Sequence, residues 1–225
     1  VTPPKGRGRR RIEERIRIVK RAGLILVVVG IAFSAYGAPT ALRSNENLCY
    51  NGTFDVTENP LDGWMTDYSW TGNSHYMANK TRVSAVASYK GRRNVLRIGG
   101  GGETKVESRA IPFEEGAKYR CTLEITGAMP HIYFTGYKWK PGIRPHENPH
   151  LGDLRRIYKS QFRNHKVTGS SGGWKKVTFE FPMDNPSKLA KKHLKYMRLF
   201  TVYIIMVSGT GGEVHVDNVV VKRIK

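Results

Sequence analysis

The 225 residues suffice for one domain of ordinary size with a real core and something extra. A content of 39% hydrophobic and 25% charged residues excludes a disordered chain. Net charge is +20, but it is unevenly spread, so charge alone does not make a nucleic-acid binder. Residues 1–37 carry nine Lys/Arg against two Glu, whereas residues 38–225 carry 29 against 16, or +13.

The chain begins VTPPKGRGRRRIEERIRIVKRAGLILVVVGIAFSAYGAPTA. A basic stretch ends at Arg21, an apolar run extends from Ala22 to Phe33, and Ala35 and Gly37 stand at −3 and −1 for cleavage before Ala38. This is the three-part plan of a secretory signal peptide. An uncleaved membrane anchor, its basic end inside, is the alternative for residues 1–37. Either way residues 38–225 are expected to be secreted or held in the cell envelope, touching a membrane only through an uncleaved N-terminal segment. Export counts against nucleic acid as a partner. It also permits a disulfide between Cys49 and Cys121, both on strand-like segments; two buried free thiols are the alternative, because sequence does not fix their separation. With no CxxC and no second pair, a structural zinc site of the usual kind is excluded.

From Asn45 onward the chain reads as all-β. TRVSAVASY (81–89) is followed by VLRIG (95–99), which runs into the turn GGGGE. YRCTLEITG (119–127) alternates, with Tyr119, Cys121, Leu123 and Ile125 on one face and polar residues on the other. HIYFTGYKW (131–139) comes next, and a long insertion spans 141–173, within which Gly152–Phe162 suits one or two helical turns. KKVTFEFP (175–182) alternates again, and NPSKLAKKHLKYMR (185–198) suits a short surface helix begun near Pro186. LFTVYIIMV (199–207) is apolar on both faces, as a central strand covered on both sides should be, and VHVDNVVV (214–221) closes the series. Nine or ten short strands with Gly, Asn and Pro turns predict a β-sandwich or barrel.

Three landmarks share an order with a known group: NLCYNGTFDV (47–56) followed by Gly63–Trp64, KVESRAIPFEEGAKYRCTLEITG in the middle, and GGWKKVTFEFP before VHVDNVVV. The chain from about Asn45 to Ile224 resembles the carbohydrate-binding modules of families 4, 9, 16 and 22, which are galactose-binding-like β-jelly rolls. The insertion at 141–173 departs from that pattern. The resemblance implies a structural Ca²⁺ tying the first strand to the last, and Asp55 and Asp217 match its acidic positions; carboxylates and carbonyls are the oxygens calcium takes. From the residues alone, Asp217 in mid-strand is equally an ion-pair partner of an Arg or the cap of a bulge.

Sugars expose apolar C–H faces, so their binders display aromatic platforms with polar flanks. Trp64, Tyr119, Trp174 and Tyr203 read as packing residues. Tyr68 with Trp70 and Tyr137 with Trp139 remain, each pair spaced i, i+2 and so on one face of an extended strand. Arg144, with Lys138, Lys140 and His146, stands ready to meet carboxylates or sulfates. Pro145 and Pro149 keep His146 and His150 off one helix face, which counts against a metal there. No Ser-centred elbow, HExxH or phosphate loop is present, and the acidic residues sit in turns or on wet faces, so catalysis is not expected. The expected function is an exported, non-catalytic domain recognising a polysaccharide, possibly an acidic one. The alternative is an extracellular structural or adhesion jelly roll that binds a protein.

Overall fold

Alternating apolar and polar residues build two antiparallel sheets of six strands each in the computed structural model. It describes residues 46–73, 79–160, 166–169, 172–207, 209 and 211–225, all within one unit, 43–225. The expected signal or anchor, 1–37, lies outside them. Among the described residues no helix is long and apolar enough to cross a membrane.

The first sheet runs β1 (Trp64–Met65), β4 (Thr104–Ser108), β11 (Leu199–Met206), β7 (His131–Trp139), β8 (Leu154–Lys159), with β5 (Ile111–Pro112) also paired to β11. The second runs β2 (Val83–Tyr89), β3 (Arg92–Gly99), β12 (Glu213–Arg223), β6 (Tyr119–Gly127), β10 (Lys175–Phe181), β9 (Lys166–Thr168). Two short helices accompany them, α1 (Asn79–Arg82) and α2 (Lys188–Tyr196). Ser187 caps α2 by accepting a hydrogen bond from the Ala190 N–H.

The inward residues of β6 are those alternation predicts, Tyr119, Cys121, Leu123 and Ile125, and they meet Val177, Phe179 and Phe181 of β10 and Phe134 and Phe200 of the opposite sheet. This is the expected jelly-roll sandwich. Every residue of β11, the middle strand of its sheet, is buried. The strand count exceeds the expected nine or ten, and the insertion is one reason. Of the expected helical turns only a single 3-10 turn, Leu151–Asp153, is there among the described residues, and β8 and β9 follow it. LRRIYK pairs along the open side of β7, and KVT along β10, so backbone groups that a helix would have satisfied internally are satisfied by a sheet edge.

The N-terminal landmarks interlock. The Leu48 N–H donates to the Val221 carbonyl and the Val219 N–H to the Gly52 carbonyl, each at 2.8 Å. A Cβ on Gly52 would collide with the Val219 carbonyl oxygen, so only glycine lets the segment lie this close to β12. The Trp64 indole donates to the Asn51 carbonyl at 2.9 Å, and its ring packs 5.2 Å from Phe54. Cys49 and Cys121 are free thiols, both buried.

Candidate functional site

Strands β4, β11, β7 and β8 lie side by side, so their residues pointing away from the sandwich core form one continuous face. Register sets the neighbours: Tyr203 stands opposite Glu107 on one side and Tyr133 on the other, and Ile205 opposite Lys105. Thr135 faces Lys159, and a bulge at Gly136/Tyr137 sets Arg156 opposite Tyr137. The bulge brings Arg156 and Lys159 to the same face although they stand three positions apart, an odd spacing that strict alternation would split.

Rings and cations interleave there. Lys105 Nζ lies 3.9 Å from the Tyr68 ring centroid and 6.0 Å from that of Tyr203. Lys159 Nζ lies 3.8 Å from Tyr133 and 5.1 Å from Tyr203, and the two tyrosine rings are 5.8 Å apart. These are cation–π distances. The Tyr133 hydroxyl is 3.2 Å from His131 Nδ1. Beneath the row lies Glu107, only 3% exposed, whose Oε2 accepts from the Tyr137 hydroxyl at 2.5 Å and the Thr201 hydroxyl at 2.9 Å.

Burial pushes the Glu107 carboxyl above its ordinary range, against the pull of those two hydroxyls and of Lys105. Burial pulls Lys105 and Lys159 below the usual lysine range, and the charge of Arg156 lowers both further. Three crowded cations are relieved when an anion joins them. Because ammonium groups already cover the ring faces, a neutral sugar has to displace them to stack, whereas a carboxylate or sulfate is drawn to them.

The sequence-predicted residues are distributed differently from the expectation. Tyr68 and Trp70 do not share a strand face: a 3-10 turn, Ser69–Thr71, follows Tyr68 and separates them. Tyr68 is buried against Lys105, whereas Trp70 is 47% exposed and packs edge-on against His150. Tyr137 and Trp139 are on one face of β7, as spacing requires, but Tyr137 is buried by its bond to Glu107 and Trp139 is partly covered, tilted against His146 at 5.2 Å. Arg144 is exposed in the loop after β7. Tyr203, read as core, belongs to the outer row. Lys105, Glu107, Tyr133 and Lys159 went unselected; the one hint was TKVES, where charged residues alternate with Thr, Val and Ser.

Asp217 sits at a bulge in β12, between Asp217 and Val220, with Asn218 at φ +50°. Its Oδ2 accepts from Arg92 Nη1 at 3.0 Å and its Oδ1 from the Asn218 N–H at 2.7 Å. The same Arg92 nitrogen donates to Glu124 at 2.5 Å, and the guanidinium lies 4.2 Å over Trp174. Asp55 is exposed and accepts from the Asn94 amide at 3.0 Å. Among the described residues no three His, Cys, Asp or Glu are grouped to hold a metal. The two residues matched to calcium each hold a protein donor, and at Asp217 the donor is a guanidinium, the ion pair at a bulge that the residues alone offered as the alternative.

No family model and no curated protein matches the chain. Among solved structures it is similar to a family 16 carbohydrate-binding module, at 16% identity over 78% of this chain and 99% of that one, with a TM-score of 0.41. A family 61 module in complex with β-1,4-galactotriose is similar at 12% identity over 79% and 99%, TM-score 0.40. A family 4 module follows at 15% over 77% and 97%, TM-score 0.38. In each case the likeness is one of strand arrangement, spanning nearly the whole module.

Proposed function

We propose that the chain is an exported, non-catalytic carbohydrate-binding domain, and that the outer face of the β4–β11–β7–β8 sheet receives an acidic polysaccharide. The observation that carries this reading is the row Tyr68, Lys105, Tyr203, Lys159, Tyr133, in which ring and cation alternate. In this reading Lys159 and Arg156, the exposed cations of the face, take carboxylates or sulfates, and Tyr133, its half-buried ring, takes an apolar sugar face once Lys159 swings to the ligand, while the buried Tyr68, Lys105 and Tyr203 form the floor. Export rests on the signal-like pattern of residues 1–37. A protein-binding role is the second reading, favoured by Leu189 and Tyr196, exposed two turns apart on α2.

Affinity electrophoresis of the full chain in gels with neutral or acidic polysaccharides tests the first reading. Retardation by an acidic polysaccharide should survive about 0.5 M salt in part, since ring contacts persist when charges are screened. It should weaken by about tenfold or more in Lys159→Gln and in Tyr133→Ala, the value of one charge-assisted bond or one ring contact. Equal retardation by every polyanion, abolished by salt, would reduce the face to non-specific charge. No retardation by any polysaccharide would leave the protein-binding reading.

A further inference from the structure

The insertion also builds a pocket beyond the Tyr68 end of the row, where Met65, Ala110 and Leu151 pack in one cluster with Tyr68. After β7 the chain folds back on itself. The Lys140 N–H donates to the Asp153 carbonyl at 3.0 Å, and Lys140 Nζ donates to the Gly152 carbonyl at 2.5 Å. The Asp153 carboxylate accepts from the His150 N–H at 3.0 Å, and His150 Nδ1 accepts from the Gly152 N–H at 2.9 Å. These bonds fix the imidazole of His150, and the Trp70 edge, 5.3 Å away, supports it from outside. Asn148 to Leu151 thereby stand beside the β1–β4 edge and line an open cleft of about 280 Å³.

Its lining is that of a sugar subsite. Trp64, Met65, Ala110 and Leu151 supply apolar wall, and Asn148 and Arg109 supply donors. Arg92, Arg97, Arg120 and Arg223 each pair with a carboxylate. Among the described residues Arg109 makes no ion pair; its guanidinium lies 4.5 Å over the Tyr50 ring. A half-buried arginine with an unspent charge on a small apolar cavity is a carboxylate receptor, and its planar fork matches that group's two oxygens. The volume falls just below the range of about 300–1,000 Å³ for small-molecule pockets, which suits a single ring rather than a run of them.

We propose that this pocket binds one carboxylated sugar unit, a uronate, with Arg109 on the carboxylate, Asn148 on ring hydroxyls and Trp64, Met65 and Leu151 against the ring. The inference rests on the carbohydrate reading for its ligand class but occupies separate residues, so a chain end can be held here while its body lies elsewhere. Titration calorimetry of the full chain with free galacturonate and glucuronate, with glucose as control, tests it. Uronate should bind at least about tenfold more tightly than glucose, the value of a charge-assisted pair. Arg109→Gln should lose that preference, Arg109→Lys should keep only part of it, and Lys192→Gln, on the exposed face of α2, should keep it whole. As a measurement free of any folding defect, the Met65 methyl NMR signal of the unaltered protein should shift with added uronate. A static Met65 signal, equal affinity for glucose, or the uronate preference kept whole in Arg109→Gln would overturn the proposal. Uronate binding without any polysaccharide retained would sink only the sheet-face reading, and polysaccharide retained without uronate binding would sink only the pocket.

Discussion

Glu107 ties three strands together, standing on β4 and accepting hydroxyls from β7 and β11 on a single oxygen. Removing it in Glu107→Ala strands two buried hydroxyls and should cost about 2–4 kcal/mol, measured by urea unfolding. Its proton is held more tightly in the folded state than in the unfolded one, because burial raises its pKa from an ordinary 4.5. Its contribution to stability is therefore complete below about 4.5 and is lost as pH climbs through the folded value. Glu124 and Glu180 run the other way: Arg92 lowers the first, and Lys118 then Arg120 lower the second. Their contribution is present above the ordinary value and lost on acidification. Glu107→Gln isolates the first effect. Relative to that variant, the wild type should lose Tm steadily as pH rises above about 4.5; a difference that stays flat with pH would show Glu107 to be ordinary.

At the level of elements, two bulges do the positioning, one setting Arg156 and Lys159 on the outer face and one housing Asp217 and Asn218 in β12. Asp217→Asn should cost about 1–3 kcal/mol, since Arg92 and Glu124 are partly solvated and the loss falls short of a fully buried pair. Because Arg92 supplies the cation, neither calcium nor EDTA should move Tm. A bound ion at about 100-fold excess over its Kd would add roughly 2.7 kcal/mol and raise Tm by several degrees, which differential scanning calorimetry resolves easily. Which elements sequence reveals follows from how local their causes are. The alternation of YRCTLEITG and KKVTFEFP is written along each strand, and the structure follows it. Asp217 in mid-strand announced an irregularity, and a bulge with an arginine partner is there. LRRIYK misled because its pairing partner, β7, is contributed from outside the segment. The aromatic row was hidden for the same reason: Lys105, Tyr133, Lys159 and Tyr203 come from four strands, and only cross-strand register makes them neighbours. Tyr203 looked like core because burial on both faces of β11 does not tell a sandwich interior from a covered outer face.

For the whole molecule, the positive charge of residues 38–225 is partly consumed by structural pairs, at Arg92, Arg97, Lys118, Arg120 and Arg223. Charge held in such pairs does not reach a ligand, so net charge overstates the attraction for polyanions in general. The insertion has a consequence of another kind. One segment lays a strand on the end of each sheet, β8 beside β7 and β9 beside β10. Both added strands are short, and β8 carries two arginines and a lysine. Long apolar edges invite strands from other molecules, while short cationic ones repel them. Excising 141–173 would bare β7 and β10, and the trimmed chain should aggregate at concentrations where the intact one stays monodisperse by light scattering. The inserted segment is then also a guard against polymerisation, shielding β7 and β10.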